Sequence, residues 1–203
     1  MRYALSILLI FGFLVINAQS KEVISDNRIG ILKTTSNEVL GYAFVAMNKN
    51  VVFTAAHNIT FNDNMVFEDS QGKQHPMRVV ATDKIGDIGV LMTNNPINDN
   101  PFALNLNYAI DQETSLFGFG KDDSSDSQVK QGIELTGKSS KIEKKKEFKS
   151  IEVLLSNAPR KAGMPLLNKN DEVVGIIIDS KQGKNGMQLC KVSIMDSDMW
   201  KKM

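Results

Sequence analysis

Past residue 20 the chain breaks into short apolar runs, each about the length of a β-strand and each closed by Asn, Asp, Gly or Lys. The runs are "RIGILKTT", "GYAFVAM", "VVFTAAH", "MVFED", "PMRVVATD" and "IGVLMT", and later "TSLFGFG", "VKQGIELTG", "SIEVLLS", "MPLLN", "EVVGIIID" and "MQLCKVSI". No stretch between them carries a long helical period. Strand-sized runs at near-regular spacing, joined by turn residues, predict an all-β sandwich or barrel. Residues 94–107, "NNPINDNPFALNLN", interrupt the rhythm with two prolines and several asparagines, and read as a crossing between two halves. The expected fold is therefore two six-stranded β-barrels side by side, the first over about residues 23–100 and the second over about 110–198. The tail "SIMDSDMWKKM" reads as a short C-terminal helix.

Composition narrows the function classes. Hydrophobic residues make up 42% of 203 positions, enough for a packed core. A net charge of +1 gives no footprint for nucleic acid or an anionic membrane. The basic cluster Lys141–Lys149, "KIEKKKEFK", mixes both signs and reads as a solvated loop. One cysteine, Cys190, rules out an internal disulfide and any zinc site built on paired cysteines; it reads as a small buried apolar residue. The two histidines do not match a metalloprotease helix, and no Gly-rich phosphate loop is present, so no metal or cofactor is expected. His75, in "GKQHPM", reads as an exposed hairpin residue.

Residues 1–20 place Arg2 ahead of an apolar stretch, Ala4–Ile16, followed by the small residues Ala18 and Ser20. This is the pattern of a secretory signal peptide, and the apolar stretch is short for a membrane span. A retained N-terminal anchor is the alternative. Export without disulfides points to a secreted or periplasmic bacterial protein beginning near Gln19 or Lys21, with no membrane contact beyond the signal. The expected domain is 21–203.

The remaining histidine, His57, ends the apolar run "VVFTAAH". Asp87 opens "DIGVL", and "APRKAGMPLLNKNDEVVGIII" places a tight turn before a hairpin. These three segments, in this order, resemble the trypsin-like serine protease family, and within it the disulfide-free bacterial HtrA-type branch. "SLFGFG" is similar to the strand that opens that family's second barrel. The resemblance covers nearly all of residues 21–203. It implies His57 as general base and Asp87 as the carboxylate that orients it. A serine hydroxyl is a poor nucleophile without such a base, and the buried carboxylate fixes the imidazole tautomer.

The family writes its nucleophile loop Gly-Asn/Asp-Ser-Gly-Gly-Pro. This chain has Arg160-Lys161-Ala162-Gly163-Met164-Pro165, so Ala162 stands at the serine position. Arg160 stands where a glycine helps form the oxyanion site, and with Lys161 and Gly163 makes up the corresponding loop. Met164 is expected to plug the old cleft. Ser156 falls where the family lines its specificity pocket, and Ile176, Ile177 and Ile178 fall on the strand that edges the substrate cleft. Ser156 and Cys190 are the candidates for a replacement nucleophile. The expected function is an exported serine-peptidase homologue that has lost catalysis and binds a peptide or protein in the inter-barrel cleft. An active serine-type endopeptidase with an atypical nucleophile loop is the alternative, and a decoy that occupies a protease's partner is a third reading.

Overall fold

The computed structural model describes residues 26–61, 64–106, 116–121, 128–143, 146–155, 161–182 and 188–195. The expected signal peptide and C-terminal helix lie outside them, apart from Ser193–Met195 at the start of the tail. Among the described residues, twelve strands form two closed six-stranded barrels. In the first barrel these are β1 (Ile29–Thr34), β2 (Val39–Val45), β3 (Val51–Ala55), β4 (Met65–Asp69), β5 (Gln74–Asp83) and β6 (Ile88–Met92). In the second they are β7 (Leu116–Lys121), β8 (Gln128–Glu143), β9 (Lys146–Leu155), β10 (Pro165–Leu167), β11 (Val173–Gln182) and β12 (Gln188–Ile194). Closure runs β1-β2-β3-β6-β5-β4 in the first and β10-β11-β12-β9-β8-β7 in the second, every pairing antiparallel. The expected all-β, two-barrel architecture is what the chain adopts.

Strand periodicity explains why the apolar runs of the first barrel are nearly unbroken. Side chains alternate between faces. Leu32, Ala43, Val45, Val52 and Leu91 join Phe67 in one core cluster. Their neighbours along the same strands, Tyr42, Phe44, Phe53, Ala55, Ile88 and Val90, belong to a second cluster shared with Met164, Leu166, Val174 and Ile176 of the other barrel. One face of β2, β3 and β6 therefore packs within the first barrel, and the other packs on the second barrel. A strand buried on both faces reads as a continuous hydrophobic run, and "VVFTAA" is such a strand.

The crossing segment is stitched to both barrels. Phe102 bridges Ala46 at the end of β2, and Leu104 bridges Val173 at the start of β11. Arg28 lies over the Phe102 ring, its guanidinium carbon 3.8 Å from the centroid.

Two expectations are corrected. The Lys141–Lys149 segment is not a loop: β8 runs to Glu143 and β9 resumes at Lys146, with Lys141 opposite Phe148 and Glu143 opposite Lys146. A hairpin ladder is held by backbone hydrogen bonds, so charged side chains do not end it. His75 is not exposed. It is 3% accessible, faces Phe67 across the β4–β5 ladder, and pairs through Nε2 with Asp69 Oδ2 at 3.1 Å.

Candidate functional site

The register of one ladder brings His57 and Asp87 together. β3 and β6 pair antiparallel, with Thr54 opposite Gly89 and Ala55 opposite Ile88. One step beyond, the Ala56 N–H donates to the Asp87 carbonyl at 3.0 Å. The chain then turns through a single 3-10 turn, Ala56–Asn58, which carries His57 back over Asp87. The Asp87 carboxylate accepts two bonds from the same residue. His57 N–H donates to Oδ1 at 2.9 Å, and ring Nδ1 donates to Oδ2 at 2.6 Å. Asp87 takes a left-handed backbone, φ 54°, to face that way. The pair is accessible, with 53% of the His57 side chain and 24% of the Asp87 side chain exposed. With Nδ1–H committed to Asp87, Nε2 is the ring nitrogen left to take or give a proton.

The turn before β10 docks against this corner. The Ala162 carbonyl accepts from Tyr42 N–H at 2.8 Å and from Asn58 Nδ2 at 3.0 Å. Asn58 Nδ2 also donates to Thr54 Oγ1 at 3.0 Å, and Thr54 Oγ1 donates to the Tyr42 carbonyl at 2.7 Å. Asn58 and Thr54 are both buried. This network joins the second barrel's turn to β2 and β3. It also accounts for two glycines. A Cβ at Gly41 would overlap the Asn58 amide, and a Cβ at Gly163 would overlap the Tyr42 carbonyl oxygen. Gly163 further has φ 108°, a backbone that side chains rarely adopt.

Gly163 N–H donates to the Ile177 carbonyl, and Ile177 N–H to the Met164 carbonyl, both at 2.8 Å. The β10–β11 ladder, which has Pro165 opposite Ile176, thus continues into the turn. Ala162 is left at the surface of a pocket of about 300 Å³ lined by Leu40, His57, Asn58, Lys161, Ile178, Asp179 and Ser180 as well. The Lys161 side chain crosses to the first barrel and donates to the Val39 carbonyl.

Of the residues expected in the site, His57, Ala162, Lys161 and Ile178 line this pocket, and Asp87 is bound to His57. Gly163 supports the turn from behind, with its N–H spent on Ile177. Ile176 and Ile177 do not line the cleft; both are fully buried, because each face of β11 here is covered by core. Met164 is likewise fully buried in the shared core rather than plugging the pocket. Ser156 and Arg160 lie outside the described residues. Cys190 is buried on β12, and desolvation together with Asp179 pushes its thiol up to about 12. A thiol in that state carries negligible thiolate near neutrality and is no replacement nucleophile.

Sequence reasoning missed Asn58, Tyr42, Thr54, Leu40, Asp179 and Ser180. One signal was present for Asn58: Gly41 is a lone glycine inside a strand, which marks a close approach by another group. Among the described residues no cluster of His, Cys, Asp and Glu could hold a metal ion.

No protein-family model matches the chain, and no curated protein sequence matches it. Solved structures do. The inactive form of the Rv3671c protease from M. tuberculosis matches with a TM-score of 0.64 at 13% identity, over 84% of each chain. The apo MamO protease domain from Magnetospirillum magneticum matches with a TM-score of 0.63 at 13% identity, over 88% of this chain and 97% of that one. A serine endoprotease from Yersinia pestis matches with a TM-score of 0.61 at 15% identity, over 88% of this chain and 61% of that one. At such identities the likeness is one of fold, and this chain has the two-barrel fold of the trypsin-like serine proteases.

Proposed function

We propose that this chain is an exported homologue of the trypsin-like peptidases that has lost catalysis and binds a peptide or protein in the pocket between its barrels. The observation that carries the reading is the residue at the turn facing the His57–Asp87 pair: Ala162 has no hydroxyl to activate. Cys190 is buried away from the pocket lining and held as a thiol. A His–Asp pair without its nucleophile retains only the acceleration that binding and an oxyanion site provide, roughly 10³–10⁴ over water. Export rests on the residue 1–20 pattern. Among the described residues no helix is long and apolar enough to cross a membrane.

Labelling with a fluorophosphonate probe tests the loss of catalysis. The wild-type chain is expected to stay unlabelled. Labelling that disappears in His57→Ala would overturn the reading in favour of a working peptidase. The double variant Ala162→Ser, Arg160→Gly is expected to gain labelling, because the base and its carboxylate are already in place. Measuring peptide binding by the wild-type chain tests the second half of the proposal.

A further inference from the structure

We propose that the pocket is a receptor for a single carboxylate, presented by the end of a peptide chain or by an acidic side chain, with Lys161 as its principal anchor. This deepens the reading of the cleft as a peptide-binding site and rests on it.

Lys161 sits on the turn beside Ala162, is exposed, and reaches across to the Val39 carbonyl. That acceptor is neutral. Among the described residues no carboxylate lies within ion-pair distance of the ammonium. A carbonyl occupies one of its three donors. A carboxylate entering the pocket competes for this group with a neutral oxygen, and charge-assisted hydrogen bonds are about twice as strong as neutral ones.

His57 borders the same pocket, and it donates to a carboxylate only as the imidazolium, because in the neutral ring Nδ1 carries the proton and Nε2 is an acceptor. Its Nδ1 is held by Asp87, so the Asp87 charge is already engaged, and Nε2 remains on a half-exposed ring lining the same pocket. No hydroxyl at position 162 stands between Nε2 and a ligand. Asn58 contributes no donor, because its amide bonds to Thr54 and to the Ala162 carbonyl. Leu40 and Ile178 supply apolar walls, which strengthen a charge pair by excluding water.

Asp179 limits the charge the pocket accepts. It is exposed, lines the β11 side, and has Lys191 as its ladder partner on β12. A carboxylate there opposes a polyanion more than a monoanion, so the site favours one carboxylate over a phosphate dianion. A volume of about 300 Å³ is at the small end of ligand pockets, suited to one terminal residue rather than a threaded chain.

Fluorescence anisotropy of the full chain tests this with N-terminally labelled short peptides ending in leucine. They are prepared as the free acid, as the C-terminal amide, and as an amide with glutamate in the last position. The free acid is expected to bind about tenfold or more tightly than the leucine amide. Lys161→Gln should erase that preference, and Lys161→Arg should keep it. Recovery of affinity by the glutamate amide would assign the carboxylate to a side chain; no recovery would assign it to the chain end. Equal binding of acid and amide, or a preference that survives Lys161→Gln, would overturn the carboxylate receptor and leave peptide binding standing. Failure of every peptide to bind would overturn both. The loss of catalysis is judged separately, by the fluorophosphonate probe.

Discussion

The chain has two histidines, and each is paired with an aspartate of the first barrel, yet the two pairs are built for different ends. His75 and Asp69 are sealed inside the β4–β5 hairpin, with side chains 4% and 7% exposed. Asp69 there is also the hub of the turn. Its Oδ1 accepts from Gln71 N–H and Lys73 N–H, both at 3.0 Å, leaving Oδ2 for the imidazole. Both carboxylate oxygens of Asp69 and the Nε2 of His75 are thus spent on the protein itself. His57 and Asp87 sit at the ladder's open end, where the ring borders the pocket and its second nitrogen is uncommitted. A His–Asp pair is thus no mark of a site by itself. What distinguishes the two is which of them leaves a titratable atom facing space that a ligand can fill.

If the sealed pair is architecture, removing its hub should produce the largest loss. Asp69→Ala strands a buried imidazole and two turn N–H groups, and is expected to cost about 3 kcal/mol in urea or thermal unfolding. A loss under about 1 kcal/mol would mean that the hairpin tolerates solvent and that the contrast is overdrawn. Next comes the tie that docks the second barrel on the open pair. Asn58→Ala removes two buried hydrogen bonds and is expected to cost about 2 kcal/mol. The same substitution should loosen the Ala162 turn, seen as faster amide exchange at Gly163. Asp87→Ala should cost about 1 kcal/mol or less, because the ring it holds is half in water. Its signature is elsewhere: the double variant that regains fluorophosphonate labelling should lose it again when Asp87 is replaced.

The contrast between the pairs also shows what the sequence made legible. The strands were readable because burial on alternate faces writes itself into the runs, and two-faced burial makes "VVFTAA" continuous. His57 and Asp87 were readable because each stands at a fixed step beyond such a run. His75 was not. Its window, "GKQHPM", contains turn residues and no apolar partner, and the groups that bury it, Phe67 and Asp69, lie on the other strand of the hairpin. Ile176 and Ile177 read as cleft residues because a strand that borders a cleft and a strand with both faces in the core look alike in one dimension. Asn58 needed the docking of two barrels, since Ala162, its acceptor, comes from the other half of the chain. Charge misled in the same way at Lys141–Lys149, where the ladder continues without any apolar pattern to announce it.

The smallest effect separates the sealed pair from the charges just outside it. Glu68 precedes Asp69 on β4, and its pKa is lowered first by the hydrogen bond from Lys33 at 2.7 Å and then by that from Gln74. A carboxylate whose folded pKa lies below its unfolded value stabilises the fold above the unfolded value. That contribution is lost as pH falls through the folded one. Glu68→Gln is therefore expected to be less stable than wild type by a few tenths of a kcal/mol at pH 7, the size of a partly exposed ion pair. At a pH well below the carboxylate range the two should coincide, because wild-type Glu68 is then neutral like glutamine. Asp69→Ala, in contrast, should remain far less stable than wild type near neutrality, where the Glu68 effect is small. A Glu68→Gln loss at pH 7 as large as that of Asp69→Ala would place the hairpin's stability in its surface charges rather than in the buried His75–Asp69 pair.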